Sequence, residues 1–284
     1  MEWPTAIVTG AGNGLGAAFA AELGRSGFAV LVNNRRHADR PFSADPVAAA
    51  IADRGGIAST DDHAVDSEGG PAAIVDAAIA KWGRLDALVL NAGISGPAVK
   101  VGAGDTEVDT VMAINFFANT RLVEAALPHL RASPAGRIVF VSSTGGLHGV
   151  RGRSAYAASK GALIAYALSL AEELRREGIG VNVLAPYAAT NMTAQPGRPP
   201  DPRMAPDGAA PICGWLASAA CTRTGEIWVA GGGHVRMARA MEGAVAPFDP
   251  ATLDGHARMD DARGYTGGEQ AFADFYTRAF GGIG

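Results

Sequence analysis

The chain has 284 residues, 48% of them hydrophobic and 18% charged, with a formal net charge of −4. That composition excludes a disordered chain and supplies enough apolar surface for a sizeable core. The mild acidity and the absence of a Lys/Arg-rich run point away from nucleic acid and anionic membrane surfaces, and the two cysteines, Cys213 and Cys221, read as core thiols rather than staples or metal ligands.

In chain order, residues 6–8 are an apolar run that reads as a first strand, and 15–24 read as a helix closed by Gly24 and Gly27. Residues 28–33 (FAVLVN) form a second strand. A polar stretch with Arg35, Arg36, His37 and Arg40 makes 34–46 a loop, followed by a short helix over 47–54 that stops at Gly55-Gly56. A weak third strand runs from residue 57 to near Asp66. Pro71 starts a helix over 71–82, where its missing N–H costs nothing. The near-continuous apolar runs 85–90 (LDALVL) and 137–141 (RIVFV) suit strands buried on both faces of a parallel sheet. Between them, 105–131 is helical over most of its length. A long helix over 154–177 and strands at 180–184 and 227–230 complete the alternation.

Strand and helix in alternation predict an α/β fold: a doubly wound, seven-stranded parallel sheet with helices on both faces. Six prolines within 194–211 exclude a helix or central strand there, so that segment reads as a loop or substrate lid over the main domain, residues 1–233. Residues 234–284 form a Gly- and Pro-punctuated C-terminal extension. One helix is expected in it over 269–280, with Phe272, Phe275, Tyr276 and Phe280 on one side, packing on the body or on a sister subunit. No uninterrupted apolar run reaches a membrane-spanning length, and the first residues lack a basic and apolar leader, so the expected location is cytoplasmic.

Two constellations carry chemistry. The first strand runs into TGAGNGLG at 9–16 and then a helix; Gly10, Asn13, Gly14, Leu15 and Gly16 would bring backbone N–H groups to a pyrophosphate at the helix N-terminus. The alternative is a tight turn with no ligand. The second is Tyr156 and Lys160, four apart on one helix face. A fixed positive charge one turn from a phenol favours the phenolate and suits the tyrosine for proton transfer. Ser143 precedes this pair at the mouth of a buried strand. Asn91-Ala92-Gly93 follows the fourth strand directly, and Asn115 sits mid-helix, where asparagine is a poor helix former.

Together with Asp66, Pro186 and Thr190, these motifs resemble the short-chain dehydrogenase/reductase family in its compact single-domain branch, over residues 5–233. The resemblance implies a Rossmann-type fold and hydride transfer between a nicotinamide cofactor and a carbonyl or carbinol carbon. It gives Tyr156 the proton transfer, Ser143 a hydrogen bond to the reacting oxygen, and Lys160 a hold on the nicotinamide ribose. It gives Asn115 a water relay towards Lys160, Asp66 the adenine, and Asn91, Ala92 and Gly93 the adenosine ribose. Pro186, Ala189 and Thr190 follow the sixth strand on the cofactor side. A small-molecule ketone or alcohol is the implied partner, and a homo-oligomer, tetramer or dimer, the implied assembly. No metal is implied.

Three departures narrow the branch. Tyr187 stands where the family usually has glycine, the loop after the second strand is long, and the chain continues to residue 284 beyond Gly231-Gly232-Gly233. With APYAATNMT at 185–193 and GEIWVAGGGHVRMAR at 225–239, the chain is similar to the (3R)-hydroxyacyl-CoA dehydrogenase unit of peroxisomal multifunctional enzyme type 2 and its bacterial relatives. That similarity implies a 3-hydroxyacyl or 3-ketoacyl thioester, with steroid or polyketide ketones as the rival substrates. A catalytically silent, redox-sensing dinucleotide-binding protein is the rival class, but such a protein would be free to lose the tyrosine or the lysine. His129, His148, His234 and Arg236 read as surface or loop residues, and the acidic pairs Asp61-Asp62 and Asp260-Asp261 as solvated.

The second strand ends at the adenosine ribose, where an acidic side chain accepts from the ribose hydroxyls and repels a 2′-phosphate. The resembled hydroxyacyl-CoA enzymes carry an acid there and use NAD. This chain has the uncharged Asn34, then Arg35 and Arg36, and a guanidinium can hold a phosphate through two parallel hydrogen bonds. The local chemistry therefore predicts NADP(H) over NAD(H).

Overall fold

A computed structural model describes residues 3–190, 199, 201–247, 259 and 261–280. They divide into two units, residues 1–237 and 238–284.

The first unit is an α/β sheet in the order β3-β2-β1-β4-β5-β6-β7-β8. The strands are β1 (Thr5–Val8), β2 (Ala29–Asn33), β3 (Ile57–Asp61), β4 (Ala87–Leu90), β5 (Arg137–Val141), β6 (Gly180–Pro186), β7 (Ile227–Gly231) and β8 (His234–Ala238). From β3 to β7 every neighbouring pair is parallel, for example Ile7 opposite Leu31 and Leu88, and Val139 opposite Asn182. The sheet thus has eight strands rather than seven. The extra one is the start of the expected extension, where the left-handed glycines Gly232 and Gly233 return the chain to the sheet edge beyond β7.

Central strands are mostly apolar because helices cover both faces: β1, β2, β4 and β5 are wholly buried, with Thr5, Asn33 and Arg137 as the polar residues at their ends. Each fully buried Ile, Leu or Phe, such as Ile7, Leu88 and Phe140, contributes roughly 1.5–3 kcal/mol. The covering helices are α1 (Gly14–Arg25), α2 (Ala44–Ala52), α3 (Gly70–Trp82), α4 (Val108–Met112), α5 (Ala118–Ala132), α6 (Thr144–His148), α7 (Ser154–Leu174) and α8 (Ala210–Ala217). Both cysteines are buried and free.

Several boundaries move. The third strand stops at Asp61, because Asp61 turns inward to Asn33 and His63, and Asp66 lies in the turn beyond it. The second helix starts at Ala44, inside the expected loop, where the chain packs Phe42 and Ala44 into the core. The helix expected over 105–131 starts at Val108 and is interrupted by a π-helical turn, Ala113–Phe117. Within the expected lid, 194–198 and 200 lie outside the described residues. Beyond them come two 3₁₀ turns, Pro202–Met204 and Pro206–Ala209, and Pro211 sits in the first turn of α8, where proline is tolerated.

The second unit carries a two-residue antiparallel bridge, Glu242 with Arg263, and the helix α9 (Gly268–Phe280). Asp274 organises it, accepting from Tyr265 Oη at 2.7 Å and Arg278 Nε at 2.8 Å. On α9 the rings of Phe272, Tyr276 and Phe280 touch in series, while Phe272 and Phe280 stay largely exposed. Among the described residues, no helix is long and apolar enough to cross a membrane.

Candidate active site

The sheet order reverses between β1 and β4, and in open α/β sheets ligands bind outside the carboxyl ends of the strands at that point. Thr9 sits there, at the end of β1. Its hydroxyl accepts from Asn91 N at 3.1 Å and Ala92 N at 3.0 Å, so the two strand ends are stitched together. Asn91 Nδ2 returns to the carbonyls of Thr9 (2.9 Å) and Gly10 (3.1 Å). The Asn91 Nδ2 group is therefore spent on holding the glycine turn.

The glycines have separate reasons. Gly10 adopts φ +62°, and a Cβ there would meet Ala92 Cα at 2.9 Å. At Gly16 a Cβ would lie 2.2 Å from the Gly10 carbonyl, so the helix could not approach the strand. Gly14 adopts φ +55° with Thr190 beside it. Helix α1 begins after Asn13 without a side-chain cap, which leaves its first N–H groups for a ligand. Uncapped donors at the positive end of a helix fit a pyrophosphate.

The residues expected to serve proton transfer come from α7 and the end of β5. Ser143 Oγ caps α6, accepting from Gly145 N at 3.0 Å. A Cβ placed on Gly145 would lie 3.4 Å from Ser143 Oγ and 3.6 Å from Tyr156 Cε1, so the two side chains flank one small residue. Among the described residues the Tyr156 hydroxyl has no hydrogen-bond partner, and it remains available. Lys160 is 4% exposed; its ammonium donates to Val141 O at 2.8 Å and lies 5.9 Å from the centroid of the Tyr156 ring. Burial pushes its pKa down to about 8. Its two unspent N–H donors fit a ribose diol.

Asn115 is fully buried at the centre of the π-helical turn. Its Oδ1 accepts from Ile94 N at 2.8 Å; its Nδ2 donates to Ile94 O and Ser159 Oγ, both at 2.9 Å. Ser159 Oγ in turn donates to Tyr156 O at 2.8 Å. These bonds commit the side-chain amide within the protein, and the π-helical turn is the distortion that lets it reach out of the helix. Gly93 closes the ring: a Cβ on it would lie 3.0 Å from Asn115 Oδ1 and 3.4 Å from Lys160 Nζ.

At the end of β2, where the adenosine is expected, Asn34 Nδ2 donates to Ser43 Oγ at 2.7 Å. Arg35 is exposed and, among the described residues, has no ion-pair partner. Of the two arginines expected beside a 2′-phosphate, Arg36 pairs with Asp62 at 2.8 Å and stacks over Phe42 at 4.3 Å. It is a strut for the loop. Asp66 is exposed in the turn after β3. Pro186 ends β6, Ala189 N donates to Met204 O at 2.6 Å, and Thr190 reaches Gly14. The sequence assigned no role to Thr9, Ser43, Ser159 or the Val141 carbonyl. The first three are ordinary polar residues with no spacing signal, and the last is backbone.

Among the described residues no cluster of three or more His, Cys, Asp or Glu could hold a metal ion. The family model for short chain dehydrogenases matches residues 4–199. Rv0148 of Mycobacterium tuberculosis, named as a short-chain type dehydrogenase/reductase, is 33% identical over 93% of this chain and 96% of its own length. Peroxisomal multifunctional enzyme type 2 of Mus musculus is 30% identical over 81% of this chain, which spans 32% of that longer protein. The crystal structure of a short chain dehydrogenase from Mycobacterium avium superposes with a TM-score of 0.76 at 32% identity, covering 89% of this chain and 92% of that one.

Proposed function

Given that the chain belongs to the short chain dehydrogenase family, we propose that it interconverts a secondary alcohol and a ketone with a nicotinamide cofactor, NADP(H) by preference. The observation that carries this is the buried Lys160 ammonium beside the Tyr156 ring, with Ser143 across Gly145 from the same ring. The nicotinamide, when bound, supplies or accepts the hydride. The protein's own residues do the rest. Tyr156 donates its phenolic proton to the carbonyl oxygen on reduction and takes it back from the alcohol on oxidation. Ser143 holds that oxygen by a hydrogen bond. Lys160 holds the ribose through its two unspent donors, and its charge favours the phenolate. Gly14, Leu15 and Gly16 receive the pyrophosphate at the start of α1, and Asn34 and Arg35 receive the adenosine end.

The substrate we propose is a 3-hydroxyacyl or 3-ketoacyl thioester. Support comes from the similarity to peroxisomal multifunctional enzyme type 2, carried by the segments 185–193 and 225–239. A panel of 3-ketoacyl-CoA, steroid and aromatic polyketide ketones, each assayed with NADPH and NADH, tests both parts. Turnover of the thioester with NADPH is the expected result. Binding of NADPH with no turnover of any ketone would favour the silent, redox-sensing reading, and turnover confined to the steroid or polyketide ketones would remove the thioester.

A further inference from the structure

Three parts of the first unit converge where β2 ends. A Cβ on Gly12 would come within 2.2 Å of Ser43 Oγ and 2.6 Å of Asn34 Nδ2, so the glycine turn, the end of β2 and the start of α2 share one spot. Ser43 stands at the N-cap position of α2, yet its side chain does not cap that helix. Instead its hydroxyl accepts from Asn34 Nδ2 at 2.7 Å. A hydroxyl carries one donor as well as its acceptor lone pairs. Among the described residues the Ser43 O–H has no acceptor, so a half-buried donor is left aimed at no protein group.

The spot is the one where ribose recognition is expected, about 20 residues beyond the glycine turn, where an acid would read a free 2′-hydroxyl. Here the position is Asn34, which carries no charge and is turned towards Ser43. The loop that follows carries Arg35, His37 and Arg40 as well as Asp39, and the exposed Asp45 lies in the first turn of α2. Arg36 is spent on Asp62 and on Phe42, the buried neighbour of Ser43. That strut fixes the loop at the residue before Ser43 and leaves Arg35 as the cation closest in sequence to Asn34.

We propose that Ser43 is a specificity-determining residue, held by Asn34 beside Gly12 so that its hydroxyl donates to the 2′-phosphate of NADP(H) while Arg35 supplies the charge. This rests on the NADP(H) reading above. A hydrogen bond to a charged oxygen is among the stronger ones, so its loss should cost about tenfold in affinity.

The test uses the full chain and two fragments that differ only in the 2′-phosphate, 2′,5′-ADP and 5′-AMP, titrated by calorimetry with thermal melts as the folding control. The native protein should bind 2′,5′-ADP more tightly. Ser43→Ala should lose about tenfold for 2′,5′-ADP and change less than twofold for 5′-AMP. Ser43→Thr, which keeps the hydroxyl, should recover most of the loss, and Ser43→Asp should lose more than Ser43→Ala through like-charge repulsion. An unchanged preference in Ser43→Ala, with a collapsed one in Arg35→Ala, would overturn the role of Ser43 and leave the NADP(H) reading standing. Equal losses for both fragments would make Ser43 merely a support for α2 and overturn it as well. A native protein that binds 5′-AMP as tightly as 2′,5′-ADP would remove the NADP(H) reading itself, and the proposal with it.

Discussion

Asn115 Nδ2 donates to Ser159 Oγ at 2.9 Å, and that bond ties the π-helical turn to the helix that carries Tyr156 and Lys160. Ser159 passes the connection on to the Tyr156 carbonyl, and Asn115 Oδ1 passes it to Ile94 N. The loop after β4 and the start of α7 are thereby held to one buried amide.

Asn115→Leu keeps most of the volume and leaves the N–H and C=O of the half-buried Ile94, and the buried Ser159 hydroxyl, without their amide partner. The expected loss is about 2–3 kcal/mol, and at roughly 2–4 °C per kcal/mol the melting temperature should fall by about 5–10 °C. A thermal melt of the purified variant measures it. A melt within a degree of the native protein would show that the amide network carries no stability.

Tyr156→Phe should lower turnover by about 10²–10⁴-fold while cofactor binding persists. Only the phenolic oxygen can exchange the proton, and the ring position beside Gly145 is unchanged. NADPH fluorescence titration and steady-state rates separate the two effects; residual activity above about a tenth would sink the assignment.

The adjacent serines should separate by readout. Ser143→Ala should depress the rate strongly and also cost about 1 kcal/mol through loss of the α6 cap. Ser142 Oγ donates to Lys160 O at 2.8 Å in a buried setting, so Ser142→Ala should cost about 1 kcal/mol of stability with the smaller effect on rate. The reverse order of rate effects would reassign the substrate hydrogen bond to Ser142.

Lys160 has its pKa depressed from 10.5 to about 8 by burial. Between those values the folded state holds fewer protons than the unfolded one. The burial cost of this group is therefore full below pH 8 and is relieved as pH rises towards 10.5, while the positive charge beside Tyr156 fades over the same interval. In ¹³Cε-lysine spectra, one of three lysine signals should titrate with a midpoint near pH 8 and be absent from Lys160→Met. A spectrum without such a midpoint would contradict a desolvated ammonium.

Truncation at Pro247 removes α9 with its exposed Phe272 and Phe280 and leaves every residue placed in the site. The expected outcome is retained NADPH binding with a smaller assembly or a lower melting temperature, read by light scattering and thermal melts. A truncated chain of the same assembly size and the same stability would show that the tail is dispensable.

What the sequence determined alone is tied to short range. Alternating apolar runs and Ala-rich helices announced the doubly wound sheet, because strand and helix periods are local. TGAGNGLG and the Tyr156/Lys160 spacing announced chemistry, because a turn and a helix face are set within a few residues. Tertiary structure decided the rest. Arg35 and Arg36 look alike in sequence, and only the folded position of Asp62, 26 residues on, separates a free cation from a strut. The residue pattern around Asn115 marked only a poor helix former, and its water-relay role came from the resemblance; that Ile94 and Ser159 come within 2.9 Å of its amide was decided by folding. Ser43 had no signal at all, since its partners lie on the end of β2 and in the glycine turn. A hydrogen bond between residues distant in sequence leaves no periodicity, and only packing brings its donor and acceptor together.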